Sequence, residues 1–118
     1  MTIYECYTAL GGDYQEVLGR LRSEPMIQKF VLKFPADRNY ERLCRSMEAG
    51  EQEAAFRAAH TIKGMCQNLG FAQLAGSSSQ LAEALRAGDM DSARALLAPV
   101  CRDYDRTVKA ICAFQAGL

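Results

Sequence analysis

Apolar residues recur at three- and four-residue intervals along nearly the whole chain, the period of a helix rather than the alternation of a strand. Asp13-Tyr14-Gln15-Glu16 has the spacing of a capping box, acid first and glutamate three on. It should open a short helix with Val17, Leu18 and Leu21 on its apolar side. Pro25 suits a first helical position, and Ile27, Phe30, Val31 and Phe34 then follow at helical spacing until Pro35 interrupts. Tyr40, Leu43, Cys44 and Met47 carry the period on to Gly50, a natural C-terminal stop. The next helix is predicted over about 51–69 and stops at Gly70. Another covers about 72–87, with Leu74, Ser78, Leu81 and Leu85 on one face, and stops at Gly88. The last starts near Asp89 or Asp91 and bears the stripe Leu96, Leu97, Val100, Tyr104, Val108, Ile111 and Phe114. Pro99 lies inside that stripe, where it should kink the helix or mark a frayed first turn.

Two junctions echo each other, Met47-Glu48-Ala49-Gly50-Glu51 and Leu85-Arg86-Ala87-Gly88-Asp89. Each places an apolar residue, then Ala-Gly, then an acid that favours a helix N-terminus. Both read as tight antiparallel αα-hairpins. Two hairpins predict an all-α fold, an antiparallel up-and-down four-helix bundle with short N-terminal capping helices. A chain of 118 residues fits one domain. The bundle is expected over 25–114, and 1–24 is a less characteristic cap.

Composition narrows the function classes. Fourteen Lys and Arg balance fourteen Asp and Glu, so the chain lacks the basic surplus that nucleic acid requires. No apolar run approaches the ~20 residues of a membrane span. Met1-Thr2-Ile3-Tyr4-Glu5-Cys6 has no basic segment followed by an apolar one, so no signal peptide is expected. The five cysteines are scattered, with neither metal-knuckle nor redox C-x-x-C spacing. Reduced, mostly packed thiols in a cytoplasmic protein are the expectation.

The helix predicted over 51–69 carries the candidate chemistry. With Ile62 at the centre of its buried face and ~100° per residue, Ala55, Ala58, Ala59, Met65, Cys66 and Leu69 fall within ~60° of that centre. The chain's one histidine, His60, lands ~160° away, on the outer side. Its neighbours there are Phe56, Arg57, Lys63, Gly64 and Gln67. An exposed histidine is ordinarily just solvated, as are surface lysines and glutamines. Gly64 changes the weighing, because glycine inside a helix costs ~1 kcal/mol relative to alanine and here sits one turn from the imidazole. Clearance for another protein's backbone would explain it. Lys63 could stabilise an anion held on the ring, and Gln67 could hydrogen-bond that anion or a partner. Phe56 could anchor a partner or tuck into a neighbouring helix.

Ala59-His60-Thr61-Ile62-Lys63-Gly64, followed by Leu69-Gly70-Phe71, resembles the signature of the histidine-containing phosphotransfer (HPt) domain family. That signature is roughly A-H-x-[LI]-K-G, four variable residues, then a small or apolar position and Gly, and it is satisfied without a gap. Motif, length and all-helical pattern together make the match specific, over about 25–114. The resemblance implies that His60 is the phosphoacceptor, that Lys63 orients or neutralises the phosphoryl group, and that Gly64 leaves room for a docking receiver domain. Gly70 ends the active helix. Gln67 falls where members vary, while Arg57 and Arg86 are possible docking residues that the motif does not fix.

The implied function is phosphotransfer in a two-component phosphorelay. An outward Nε2 takes the phosphoryl group from a receiver-domain aspartyl phosphate and passes it to another receiver. The implied partners are response-regulator receiver domains and a hybrid sensor histidine kinase, and the chain is expected to be a monomer. No cofactor is expected on the chain itself, Mg²⁺ being brought by the receiver. Neither a P-loop nor a kinase glycine loop occurs, so the chain reads as a phosphocarrier rather than an enzyme. The alternative is an HPt-like module that docks a receiver or kinase without transferring phosphate. A metal or redox site built from Cys66 and His60 is disfavoured, since the two face apart on the wheel.

Overall fold

A computed structural model describes all 118 residues as helices joined by short turns. They are α1 (Ile3–Leu10), α2 (Tyr14–Leu21), α3 (Glu24–Lys33), a 3₁₀ turn (Phe34–Ala36), α4 (Asn39–Ala49), α5 (Gln52–Leu69), α6 (Ala72–Arg86) and α7 (Met90–Ala116). Helix α5 packs against α4 and α6, α6 against α7, and α7 against α1. The 27 residues of α7 reach ~40 Å at 1.5 Å per residue. That equals the 40 Å long axis of the molecule, so α7 runs its full length.

The core explains why α5 can sit between two neighbours. Its buried residues, Ala55, Ala58, Ala59, Ile62 and Cys66, are mostly small, which lets other helices approach closely. Larger groups fill the remaining space: Leu74, Leu81 and Leu85 from α6, Val100, Ile111 and Phe114 from α7, and Phe71 from the turn between α5 and α6. Burial pushes the Cys6 thiol up to about 11 and the Cys66 thiol up to about 12.

Several sequence expectations are corrected. Residues 3–10 form a helix that the hydrophobic pattern did not single out, opened by a capping box in which Thr2 and Glu5 bond reciprocally. Its Ile3, Cys6, Tyr7 and Leu10 are buried. Pro25 is the second helical residue of α3, behind Glu24 and the N-cap Ser23. Phe30, placed on the apolar stripe, is 42% exposed. Ile27, Val31 and Phe34 define the buried line, and Phe30 lies at its edge, ~60° from Ile27. Pro99 falls ten residues into an unbroken α7, so it marks no frayed first turn.

In α7 the buried residues Ala93, Val100, Thr107 and Phe114 are spaced by sevens, with Ala110 and Ile111 buried beside them. Leu96, Leu97, Tyr104 and Val108, all expected on the core stripe, are only half-buried. Thr107 tolerates the core because its hydroxyl donates to the Asp103 carbonyl at 2.7 Å. The thiols are less uniformly packed than expected: Cys6 and Cys66 are buried, Cys44 and Cys101 half-buried and Cys112 exposed.

Candidate functional site

Helix α5 is held at both ends by side chains from other helices. At its start, the Gln52 amide nitrogen donates to the Leu85 carbonyl of α6 at 2.6 Å. At its end, the turn at Gly70 satisfies the Cys66 and Gln67 carbonyls through the Phe71 and Gly70 N–H groups, while the carbonyls after them have no partner within the helix. Arg20 Nη2 of α2 donates to the Gln67 and Asn68 carbonyls, and the Tyr7 hydroxyl of α1 donates to the Leu69 carbonyl. Gly70 follows with φ +69°, and a Cβ there would lie 2.7 Å from the Asp13 carbonyl oxygen. Only glycine fits both the left-handed backbone and that close approach. Asp13 N–H in turn donates to the Gly70 carbonyl at 2.7 Å.

His60 is exposed at the middle of this clamped helix. Side chains on a helix lean toward its N-terminus, so His60 lies back over Phe56, one turn earlier. The two rings stack, with centroids 5.6 Å apart and planes inclined by 24°. By the same lean, a side chain at position 64 would lie over His60. Gly64 removes it, and a Cβ there would meet nothing within 4 Å. Gly19 and Gly76 are equally open; what distinguishes Gly64 is its place one turn above the imidazole. Lys63 is half-buried beside it. Lys63 adds to the field that holds the Glu83 carboxyl of α6 low, behind the larger hydrogen bond and charge of Arg86.

Two predicted docking arginines are already engaged within their own helices. Arg57 pairs with Glu53 one turn earlier, and Arg86 pairs with Glu83. Both are well exposed, so these pairs contribute little to stability. The Gln67 side chain is exposed two turns past His60, while its carbonyl accepts from Arg20 and from the Gly70 N–H. Cys66 is buried on the far side of α5 from His60, and nowhere do three His, Cys, Asp or Glu side chains converge as metal ligands.

Three features were missed in the sequence. Thr61 is exposed next to His60, its hydroxyl donating back to the Arg57 carbonyl at 2.9 Å. The anchoring of α5 by Tyr7 and Arg20 left no local signal. An apolar groove of about 400 Å³ opens where Leu21, Phe30, Phe34 and Lys33 meet Met65, Asn68 and Leu69 of α5. The exposed edge of Phe30 lines it.

The fold and site thus define an all-helical module that offers one unobstructed imidazole on a rigidly anchored helix. Residues 26–114 match the family model of the Hpt domain, and the chain belongs to that family. No curated protein and no solved structure matches it. Hpt domains are phosphocarriers, not kinases. They take part in histidine phosphotransfer within phosphorelays and interact there with receiver domains and kinases. No helix is long and apolar enough to cross a membrane.

Proposed function

We propose that His60 accepts a phosphoryl group from an aspartyl phosphate on a receiver domain and hands it to a second receiver. The observation that carries this is the pairing of exposed His60 with Gly64, whose missing side chain has no packing purpose inside the chain. Neutral imidazole with its proton on Nδ1 presents a lone pair at Nε2. The P–Nε2 bond forms as the aspartyl O–P bond breaks, and the carboxylate leaves with the bonding electrons. Return to a second aspartate reverses the step. The receiver supplies the acidic pocket and Mg²⁺. This chain supplies a nucleophile held in position and a cation, Lys63, beside it.

The same reading takes α4 to α7 as an antiparallel up-and-down bundle within one 1–118 domain. It works as a cytoplasmic monomer in a pathway headed by a hybrid sensor kinase. Phe30 and the groove beside α5 offer apolar area to the receiver, with Gln67 and Arg57 nearer the phosphoryl group and Arg86 at the periphery.

The test is transfer from a receiver carrying radiolabelled phosphate. The chain should acquire base-stable, acid-labile label, and His60→Gln should bind the receiver without becoming labelled. A wild-type chain that binds its cognate receiver yet never takes up label would be a docking module instead.

A further inference from the structure

No group of the chain hydrogen-bonds the His60 ring, and the ring of Phe56 stacks against it. Phe56 is itself half-buried and packed against the core, which leaves it less free to move than a surface side chain. The sequence left Phe56 either anchoring a partner or tucking into a neighbouring helix. In the structure its ring also stacks on the exposed imidazole while the residue packs against the core.

We propose that Phe56 is a positioning residue for phosphoryl transfer, a platform that fixes the plane of the His60 imidazole so that the Nε2 edge faces the incoming receiver. The proposal rests on His60 being the phosphoacceptor. Stacking suits the task for two reasons. It holds a ring by its face and leaves both nitrogens free at the edge. A hydrogen-bonding neighbour could instead occupy the lone pair that must attack phosphorus. Holding the ring in one rotamer before docking spares the encounter complex that ordering step.

Three variants test it: Phe56→Leu, Phe56→Ala and Phe56→Tyr, each checked by circular dichroism. The first readout is the NMR signals of the His60 ring protons in the free protein. In the wild type they should be displaced from unstructured values and show a cross-peak to the Phe56 ring. In the Leu and Ala variants the displacement should collapse, and Tyr should restore it. The second readout is transfer from phosphorylated receiver over a range of receiver concentrations. The maximal rate should fall about fivefold in Leu and Ala, with half-saturation within about twofold of wild type, as for a less well-oriented nucleophile. Tyr should recover the rate.

Ring signals that do not move, or a weaker half-saturation with the maximal rate intact, overturn the proposal. The latter would make Phe56 a docking contact. If the wild type accepts no phosphoryl group, the phosphotransfer reading fails and the catalytic part of the proposal fails with it. The ring signals still report separately whether the platform exists.

Discussion

Arg20 Nη2 donates to the Gln67 carbonyl at 2.6 Å and to the Asn68 carbonyl at 2.8 Å, so α2 closes the last turn of the helix that carries His60. A cation at a helix C-terminus also meets the negative end of the macrodipole. Arg20 is about two-fifths exposed and shares its charge with Glu16, so solvent screening limits the gain. Arg20→Ala should cost ~1 kcal/mol in urea unfolding. It should also speed amide exchange in the turn after Gly70, whose N–H groups depend on that end staying closed. Arg20→Lys should recover less than half, since an ammonium lacks the planar fork that spans two carbonyls. A full recovery by lysine would mean that charge alone is at work.

Tyr7 makes the companion contact. Its hydroxyl donates to the Leu69 carbonyl at 2.6 Å while its ring is buried against Tyr14 and Phe71. Tyr7→Phe keeps the ring and strands the carbonyl, which should cost ~1–2 kcal/mol. Tyr7→Ala adds a cavity and should cost ~3–5 kcal/mol. Thermal or urea unfolding of the two variants separates the hydrogen bond from the packing. If Tyr7→Phe unfolds like wild type, water or a shifted turn already satisfies Leu69.

Stability should fall in alkali for a reason that can be assigned. Burial raises the Cys6 thiol from 9.0 to about 11 and the Cys66 thiol from 9.0 to about 12. In the unfolded chain both thiols lose their protons near pH 9, while the folded chain retains them. Between those limits the unfolded state binds fewer protons, so stability declines as pH rises, by up to about 1.4 kcal/mol per pH unit for each thiol. The contribution is intact below pH 9 and is lost as pH climbs through 11 and 12. Cys66→Ala should lower stability at pH 7 by leaving a small void, yet lose less than wild type between pH 8 and pH 10. Parallel losses in the two proteins would remove Cys66 from the account.

What the sequence revealed and what it hid divides along a physical line. The buried face of α5, the outward His60 and the turns at Gly50, Gly70 and Gly88 follow from spacing within one helix or from backbone rules at one residue. The signal for α1 was equally local, Thr2 and Glu5 at capping-box spacing followed by Ile3, Cys6, Tyr7 and Leu10 on one face, and it was legible in the same way as that for α2. Thr107 and Ala93 escaped because a stripe drawn through large apolar residues passes over small ones, although the seven-residue spacing joins them to Val100 and Phe114. The contacts of Arg20 and Tyr7 with the end of α5 join residues 47 to 62 positions apart. No pattern within a helix encodes such pairs. The same holds for the groove at Phe30, which exists only because α2, α3 and α5 meet there.

Gly64 offers the sharpest separation of stability from function. Its backbone is helical and a Cβ there would meet nothing within 4 Å. Gly64→Ala should therefore stabilise the fold by ~0.5–1 kcal/mol, through the lower backbone entropy of the unfolded chain and the better helix propensity. The added methyl group touches nothing in the chain but stands one turn above His60, on the face proposed to meet the receiver. Transfer from phosphorylated receiver should slow, and Gly64→Gln, with a longer side chain over the imidazole, should slow it more, both chiefly through weaker half-saturation. Small phosphodonors such as phosphoramidate need far less room and should label His60 in Gly64→Ala almost as well as in wild type. Melting temperature and the two labelling rates, measured side by side, give the outcome. A variant that is more stable and accepts phosphate from the receiver at the wild-type rate would leave Gly64 without a role in docking.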